Sequence, residues 1–377
     1  MSRRRKRRKR IESRSEYILK RLLIIFGCIL AVGVILVATV KIITIVGRNR
    51  LTENANTEGP TLEGDEDSIV KSGDVNAEEW QDGWISYNGK VYEYNEDIRT
   101  FLVLGIDEGN TKGFEADEKV KELTGGGQSD GIFLIILNPM DESIKIFAIN
   151  RDTKVDILMV GMGEGGTDVT GKFAISTQHG FGGGGKYSCE LSRDAVSRLI
   201  YDMPIHGYVS IQYSDIPAIN DAVGGVTLTL PEDDDDLTVR NKNWKAGATI
   251  TLKGQEAHDF VRYRDIYGGS ESQRRRLGRH KLYLKSFIKQ MKEKTKEDIT
   301  LPMKIYNSIK DDVVTDLSVD TISYLVSEYA DYSFDENDIY TMEGETKLGE
   351  DGFAYFYPDD EALKALVIKL FYKEVDR

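Results

Sequence analysis

Positions 22–40, LLIIFGCILAVGVILVATV, run for 19 residues without a charge, and the apolar stretch resumes at Ile42 after a single lysine. At about 1.5 Å per residue such a run covers roughly 30 Å, the hydrocarbon thickness of a bilayer. A segment like this either crosses a membrane or is cut away. A cleaved signal has a shorter apolar core and a small-residue cleavage site, so the sequence predicts a retained signal-anchor helix over 22–46. Eleven Lys or Arg precede Leu22, whereas Lys41, Arg48 and Arg50 follow by residue 50. This asymmetry predicts a basic cytoplasmic tail at 1–21, with the rest of the chain beyond the anchor outside the cell.

Charge divides the chain in the same way. Residues 1–50 hold 14 basic and 2 acidic side chains, and the remaining residues hold 36 and 61, a net −25. An external domain this acidic repels phosphate backbones, which excludes nucleic acid as a partner. Of the two cysteines, Cys28 lies in the apolar run, so Cys189 has no partner outside. The domain is therefore not a disulfide-stapled scaffold and needs an ordinary core, which some 300 residues supply.

Residues 47–82 are polar, acidic and poor in large apolar groups, and read as a flexible linker. Order is expected from about residue 83. RTFLVLGID (99–107) is a short apolar strand ending in Asp. GIFLIILN (131–138) is apolar at nearly every position, as in a central strand covered on both faces. SIKIFAI (143–149), GYVSIQY (207–213) and GVTLTLP (225–231) read as further strands. CELSRDAVSRLIYDM (189–203) and QRRRLGRHKLYLKSFIKQMKEK (273–294) have helical spacing. Alternating strands and helices predict an α/β sandwich over 83–294, and 295–377 reads as a helical and extended extension.

The stretch DFVRYRDIYGGSESQRRRLGRHK (259–281) crowds six arginines and a lysine into an otherwise acidic domain. With the helix beginning near Ser272, Arg274, Arg275 and Arg276 occupy its first turn, where the helix dipole favours anions rather than cations. Arginines gathered there suit a bound phosphate, and guanidinium forks bind phosphate well. Arg276 and Arg279 are expected on one face with Tyr283, and Arg275 nearer solvent. Arg262 and Arg264, two apart, project from one side of an extended segment. Asp107, Asp130 and Asp152 stand at strand ends, where α/β sheets form their ligand crevices. Such carboxylates beside arginines suit a phosphate held through Mg²⁺. GFGGGGKY (180–187) imitates a phosphate-binding loop, but Tyr187 replaces the Ser or Thr that Mg²⁺ requires. A mobile loop beside a site is the expectation there. The four histidines lack zinc-type spacing.

RTFLVLGID, QSDGIFLIILNPMDESIKIFAINRDT, KFAISTQHGFGGGG, IHGYVSIQYSDIPAINDAVGGVTL, LKGQEAHDFVRYR and RRLGRHK resemble, in order and spacing over roughly residues 98–292, the LytR–CpsA–Psr family. The resemblance implies a three-layer α/β/α domain around a central mixed β-sheet, after one membrane helix. It implies a Mg²⁺-dependent phosphotransferase of a Gram-positive bacterium. The donor would be a polyprenyl-pyrophosphate-linked glycopolymer, such as teichoic acid or capsule, and the acceptor peptidoglycan. By motif, Asp107 and Asp130 match the metal-associated acids, Arg151 the R-D-T block, Arg262 and Arg264 the R-x-R, and Arg276 and Arg279 the later R-x-x-R; all four of these last arginines would contact the pyrophosphate. Arg275 is the alternative to Arg276. The general base would be Asp130 or Asp152. Three positions depart from the family pattern: Gln128, Gly131 and His280 stand where Arg, Thr and Gln are usual. These departures support a competing reading, a non-catalytic lipid-pyrophosphate-binding or regulatory envelope protein. A phosphatase for such lipids is a third.

Overall fold

The computed structural model describes residues 45–51, 53–57, 59–64, 80–81, 83–107, 125–263, 265, 269–298 and 300–375. The basic tail, positions 22–44 of the expected anchor, and Arg264 lie outside the described residues. Among the described residues no helix is long and apolar enough to cross a membrane.

The backbone of the domain is a six-stranded mixed sheet. Its strands are β3 (Arg99–Asp107), β4 (Gln128–Asn138), β5 (Ser143–Ile149), β8 (Gly207–Gln212), β11 (Val314–Thr315) and β12 (Ile339–Thr341), in the order β11-β8-β3-β4-β5-β12. β3 pairs antiparallel with β4 and parallel with β8, and β12 adds to β5 in parallel. The central strands are apolar on both faces because both are covered. Leu102, Leu104, Leu134 and Ile136 pack with helix α1 (Lys186–Leu199) and helix α8 (Asp360–Phe371) in one core. A second core holds Tyr213, Phe260 and Trp244. It includes residues of α2 (Ile216–Ala222), α4 (Gln255–Arg262), α5 (Gly269–Glu297) and α6 (Leu301–Ile309), and of a ribbon formed by β9 (Val226–Thr229) and β10 (Thr249–Leu252). The acidic loop before β10 carries the short helix α3 (Asp235–Arg240).

β1 (Trp84–Tyr87), β2 (Lys90–Tyr94) and β15 (Tyr372–Glu374) form a small separate sheet. Two further ribbons, β6 (Lys154–Met159) with β7 (Val169–Ala174) and β13 (Gly344–Leu348) with β14 (Ala354–Pro358), meet where Thr153 bridges to Phe356. Residues 331–375 are thus woven into the sheet and its core rather than appended. Residues 45–50 and 318–330, which include α7 (Val319–Tyr329), form a second compact unit, in which Arg50 pairs with Asp320 at 2.8 Å.

Two expectations change here. The stretch 53–64, expected to be part of a flexible linker, is docked: Asn56 Oδ1 accepts from the Ile205 N–H at 2.9 Å, and the Thr61 N–H donates to Tyr201 O at 2.9 Å. The glycine loop is also fixed rather than mobile. Gly184 N–H donates to Ser188 Oγ at 2.8 Å, and the loop backbone lies against Gly126, where a Cβ would come within 2.5 Å of Gly184 N.

Candidate active site

The site begins with an irregularity in the β3–β4 pairing. Gly105 faces Gly131, but Ile106 faces Ser129, so Asp130 is an extra residue opposite no partner. A bulge of this kind re-aims a side chain at a strand end. It turns Asp130 toward the long helix α5 and leaves its carboxyl buried, at 5% exposure. Arg276 on α5 donates from Nη1 to Asp130 Oδ2 at 3.1 Å. Arg151 donates from Nη1 to the other oxygen, and from Nη2 to Gln128 Oε1 at 2.7 Å.

Arg151 is delivered by the turn after β5. Asn150 Oδ1 accepts from the Asp152 N–H at 3.0 Å, and Thr153 Oγ donates back to Asn150 O at 2.6 Å. This self-bonding polar turn explains the R-D-T block. Asp152 Oδ1 lies 3.3 Å from Arg151 Nε, which has no aligned hydrogen bond. Burial pushes the Asp130 carboxyl up, but the Arg151 and Arg276 guanidiniums outweigh it and hold the carboxyl below the usual range. Burial likewise works against the charge on Arg151, and Asp130 and Asp152 restore it.

These groups open on a cavity of about 590 Å³. Asp130, Asn150, Arg151, Asp152, Arg274 and Arg276 form one part of its lining. Ile132, Phe133, Leu277, Met342, Ala354 and Phe356 form an apolar part. A wall of this composition, with a few convergent polar groups, is the usual make-up of a small-molecule site.

The other expected residues go elsewhere. Asp107, opposite Gln128, is held by Arg262, whose Nε and Nη2 donate at 3.1 and 3.2 Å. Arg262 faces a smaller pocket of about 190 Å³ with His258 and Tyr263. The helix register also differs. α5 starts at Gly269, not near Ser272, so Arg274–Arg276 follow its first turn. Arg276 shares its face with His280, both lining the cavity, and not with Arg279. Arg279 is fully buried and does not line the cavity. Its Nη1 donates to Asp234 Oδ2 at 2.5 Å, its Nε to Phe260 O at 3.0 Å and its Nη2 to Tyr263 O. It clamps the C-terminal end of α4, which bears Arg262. Arg275, expected near solvent, is half-buried and donates to Asp236 Oδ1 at 3.2 Å. Three-residue spacing makes Arg276 and Arg279 neighbours on the helix, but their guanidiniums go to different partners, Asp130 and Asp234. His280 Nε2 lies 2.8 Å from Val261 O, and burial, then Arg276, push its imidazole down to about 3, so the neutral ring donates there.

Sequence reasoning missed the hairpin residues Phe353 and Phe356. Nothing local marks a hairpin far down the chain as a wall of this cavity. Arg274, noted only as part of the arginine run, also lines it.

The LytR_cpsA_psr family matches residues 61–371. The chain belongs to the LytR–CpsA–Psr family. A polyisoprenyl-teichoic acid–peptidoglycan teichoic acid transferase TagU of Bacillus cereus is 29% identical over 273 residues, covering 72% of this chain and 77% of that protein. The protein of the same name from Enterococcus faecalis is 26% identical over 287 residues, covering 74% and 80%. Among solved structures, B. subtilis TagV has a TM-score of 0.53 at 22% identity, covering 73% of this chain and 96% of that one. TagT bound to LI-WTA has a TM-score of 0.53 at 18% identity, covering 73% and 90%. The LytR–CpsA–Psr fold thus accounts for the mixed central sheet with helices on both faces.

Proposed function

We propose that this LytR–CpsA–Psr protein is a cell-envelope phosphotransferase that moves a polyprenyl-pyrophosphate-linked anionic glycopolymer, of teichoic acid type, onto peptidoglycan. The observation that carries the reading is the buried Asp130 held between Arg151 and Arg276 beside an apolar-walled cavity of about 590 Å³. Pyrophosphate suits the guanidiniums and a polyprenyl chain suits the wall. The names of the TagU relatives support the donor and acceptor. The anchor over 22–46 would keep the domain at the outer membrane face, where a lipid-linked donor resides.

In this mechanism Arg151 and Arg276 transfer part of their hydrogen bonding from Asp130 to the pyrophosphate and stabilise the charge that develops on the departing lipid phosphate. The Asp152 carboxylate meets only Arg151 Nε among the described residues, at 3.3 Å, and has oxygen capacity to accept the proton of the acceptor hydroxyl. That hydroxyl oxygen bonds to the glycan-linked phosphorus, and the bond from this phosphorus to the bridging oxygen breaks. Polyprenyl phosphate leaves. Among the described residues no group of three or more His, Cys, Asp or Glu side chains is placed to hold a metal, and Asp130 and Asp107 are each held by arginine. Mg²⁺, a hard cation that keeps several waters, would have to be held jointly by the Asp130 carboxylate and the substrate phosphate, whose charge it would neutralise. Arg279 and Arg275 enter this reading as supports of α4 and the acidic loop, and Arg262 as the outer anion contact.

The test gives the full chain in detergent a short polyprenyl-pyrophosphate glycan, Mg²⁺ and a muramic acid glycan. Polyprenyl phosphate should be released only with acceptor present, and not by Arg276→Ala. Release without acceptor would make the protein a phosphatase. Tight binding with no release would make it a capture protein.

A further inference from the structure

Gly105 and Gly131 face each other across β3 and β4, so neither strand covers the sheet there with a side chain. The ring of Tyr213 covers it instead. Tyr213 follows β8, the parallel neighbour of β3, in the turn Tyr213–Asp215. A Cβ on Gly105 would lie 3.6 Å from Tyr213 Cζ, and a Cβ on Gly131 would lie 3.4 Å from the phenol oxygen. The hydroxyl is therefore held over the residue that follows Asp130, on the same side as His280, whose ring centre is 6.3 Å from that of Tyr213.

Burial, and then the charge of Asp130, raise the phenol well above its ordinary range, while Arg276 and Arg151 partly offset this. The group stays a protonated donor at any working pH. The side chain is buried at 6% exposure, and its hydroxyl makes no hydrogen bond among the described residues. The hydroxyl lies against Gly131 and the ring beside His280, and both of those residues line the cavity.

We propose that Tyr213 is a substrate-contact residue whose hydroxyl donates to a phosphate oxygen of the lipid-linked donor, the facing glycines providing the space that lets it reach. The proposal rests on reading the cavity as a pyrophosphate site. A neutral donor adds direction without a further positive charge, so it does not draw on Asp130.

The experiment uses the full chain in detergent, with geranylgeranyl pyrophosphate as the probe and its Kd as the readout, beside unliganded melting. Tyr213→Phe removes one oxygen and keeps the ring. Its Kd should weaken about tenfold, equal to ~1.4 kcal/mol, with unliganded melting unchanged. Gly131→Ser places a hydroxyl in the same volume, so Tyr213→Phe/Gly131→Ser should recover most of the lost affinity. Arg276→Ala is the control for the site itself. If Arg276→Ala loses the probe while Tyr213→Phe binds as the native chain does, the Tyr213 inference is overturned and the site reading stands. If both bind as the native chain does, the pyrophosphate lies elsewhere and both fall. Weakened binding with lowered unliganded melting and no rescue by serine also overturns it, because the ring then acts through packing.

Discussion

Arg279→Ala should cost the empty protein stability. A knot of like charges taken alone would do the opposite, because removing an arginine relieves repulsion. The structure gives every described arginine of the group a carboxylate. Arg279 has no exposure, and its partner Asp234 is almost as deeply buried, with a second oxygen already lacking a hydrogen bond. Removing one member of such a buried pair leaves an uncompensated charge and costs about 3–5 kcal/mol. Phe260 O and Tyr263 O lose their donor as well. A domain of this size loses about 2 °C of melting temperature per kcal/mol, so the fall should be roughly 6–10 °C. Thermal unfolding of the full chain in detergent measures it. The cycle with Asp234→Asn separates the pair: the double variant should regain part of the loss, because no charge is stranded. If Arg279→Ala melts with the native protein yet no longer binds geranylgeranyl pyrophosphate, Arg279 is an anion ligand and the clamp reasoning is wrong.

Other outcomes follow from the same geometry. Asp130→Asn should abolish transfer; normal turnover by this variant in limiting Mg²⁺ would refute the metal assignment. The folded-state pKa of His280 is depressed to about 3, so its contribution is complete above the unfolded value of about 6.5 and is lost as pH falls toward 3. At pH 4.5 the loss is about 2–3 kcal/mol, and His280→Gln should flatten the urea-midpoint profile between pH 7 and 4.5. Phe356→Ala should weaken geranylgeranyl pyrophosphate more than inorganic pyrophosphate; equal effects on both probes would place the lipid outside this wall. Protease added to wall-stripped cells should digest residues 80–377, and protection in sealed protoplasts would refute the external topology.

The central strands were legible in the sequence because apolar content and turn residues are local signals. RTFLVLGID is β3 to the residue, and Ile146 and Phe147 sit fully buried in β5 as their pattern requires. Asp130 and Arg151 were also legible as candidates, through strand ends and the family blocks. What the sequence hid was pairing at a distance. The bulge that turns Asp130 depends on two strands read together. The orientation of Arg276 against Arg279 depends on what covers each face of α5, and Asp234 and Asp236 lie some 40 positions upstream. Local polarity misread 53–64 as a linker, because its partners, residues 194–205, are more than a hundred positions away.

The strand β15, from the last residues of the chain, lies on β2 near the start of the ordered domain, with Tyr372 opposite Tyr94. Helix α8, just before it, carries Val367 and Phe371 into the first core with no exposure. The domain consequently cannot finish folding until α8 and β15 have been made and delivered. Closing a loop of this length is slow, since its entropy is lost before its contacts form. A nonsense mutation that removes only the final helix leaves a chain with an open core and an unpaired β2 edge, exposed to proteases and to its neighbours. Synthesis through Glu374 is in this way the checkpoint for stability.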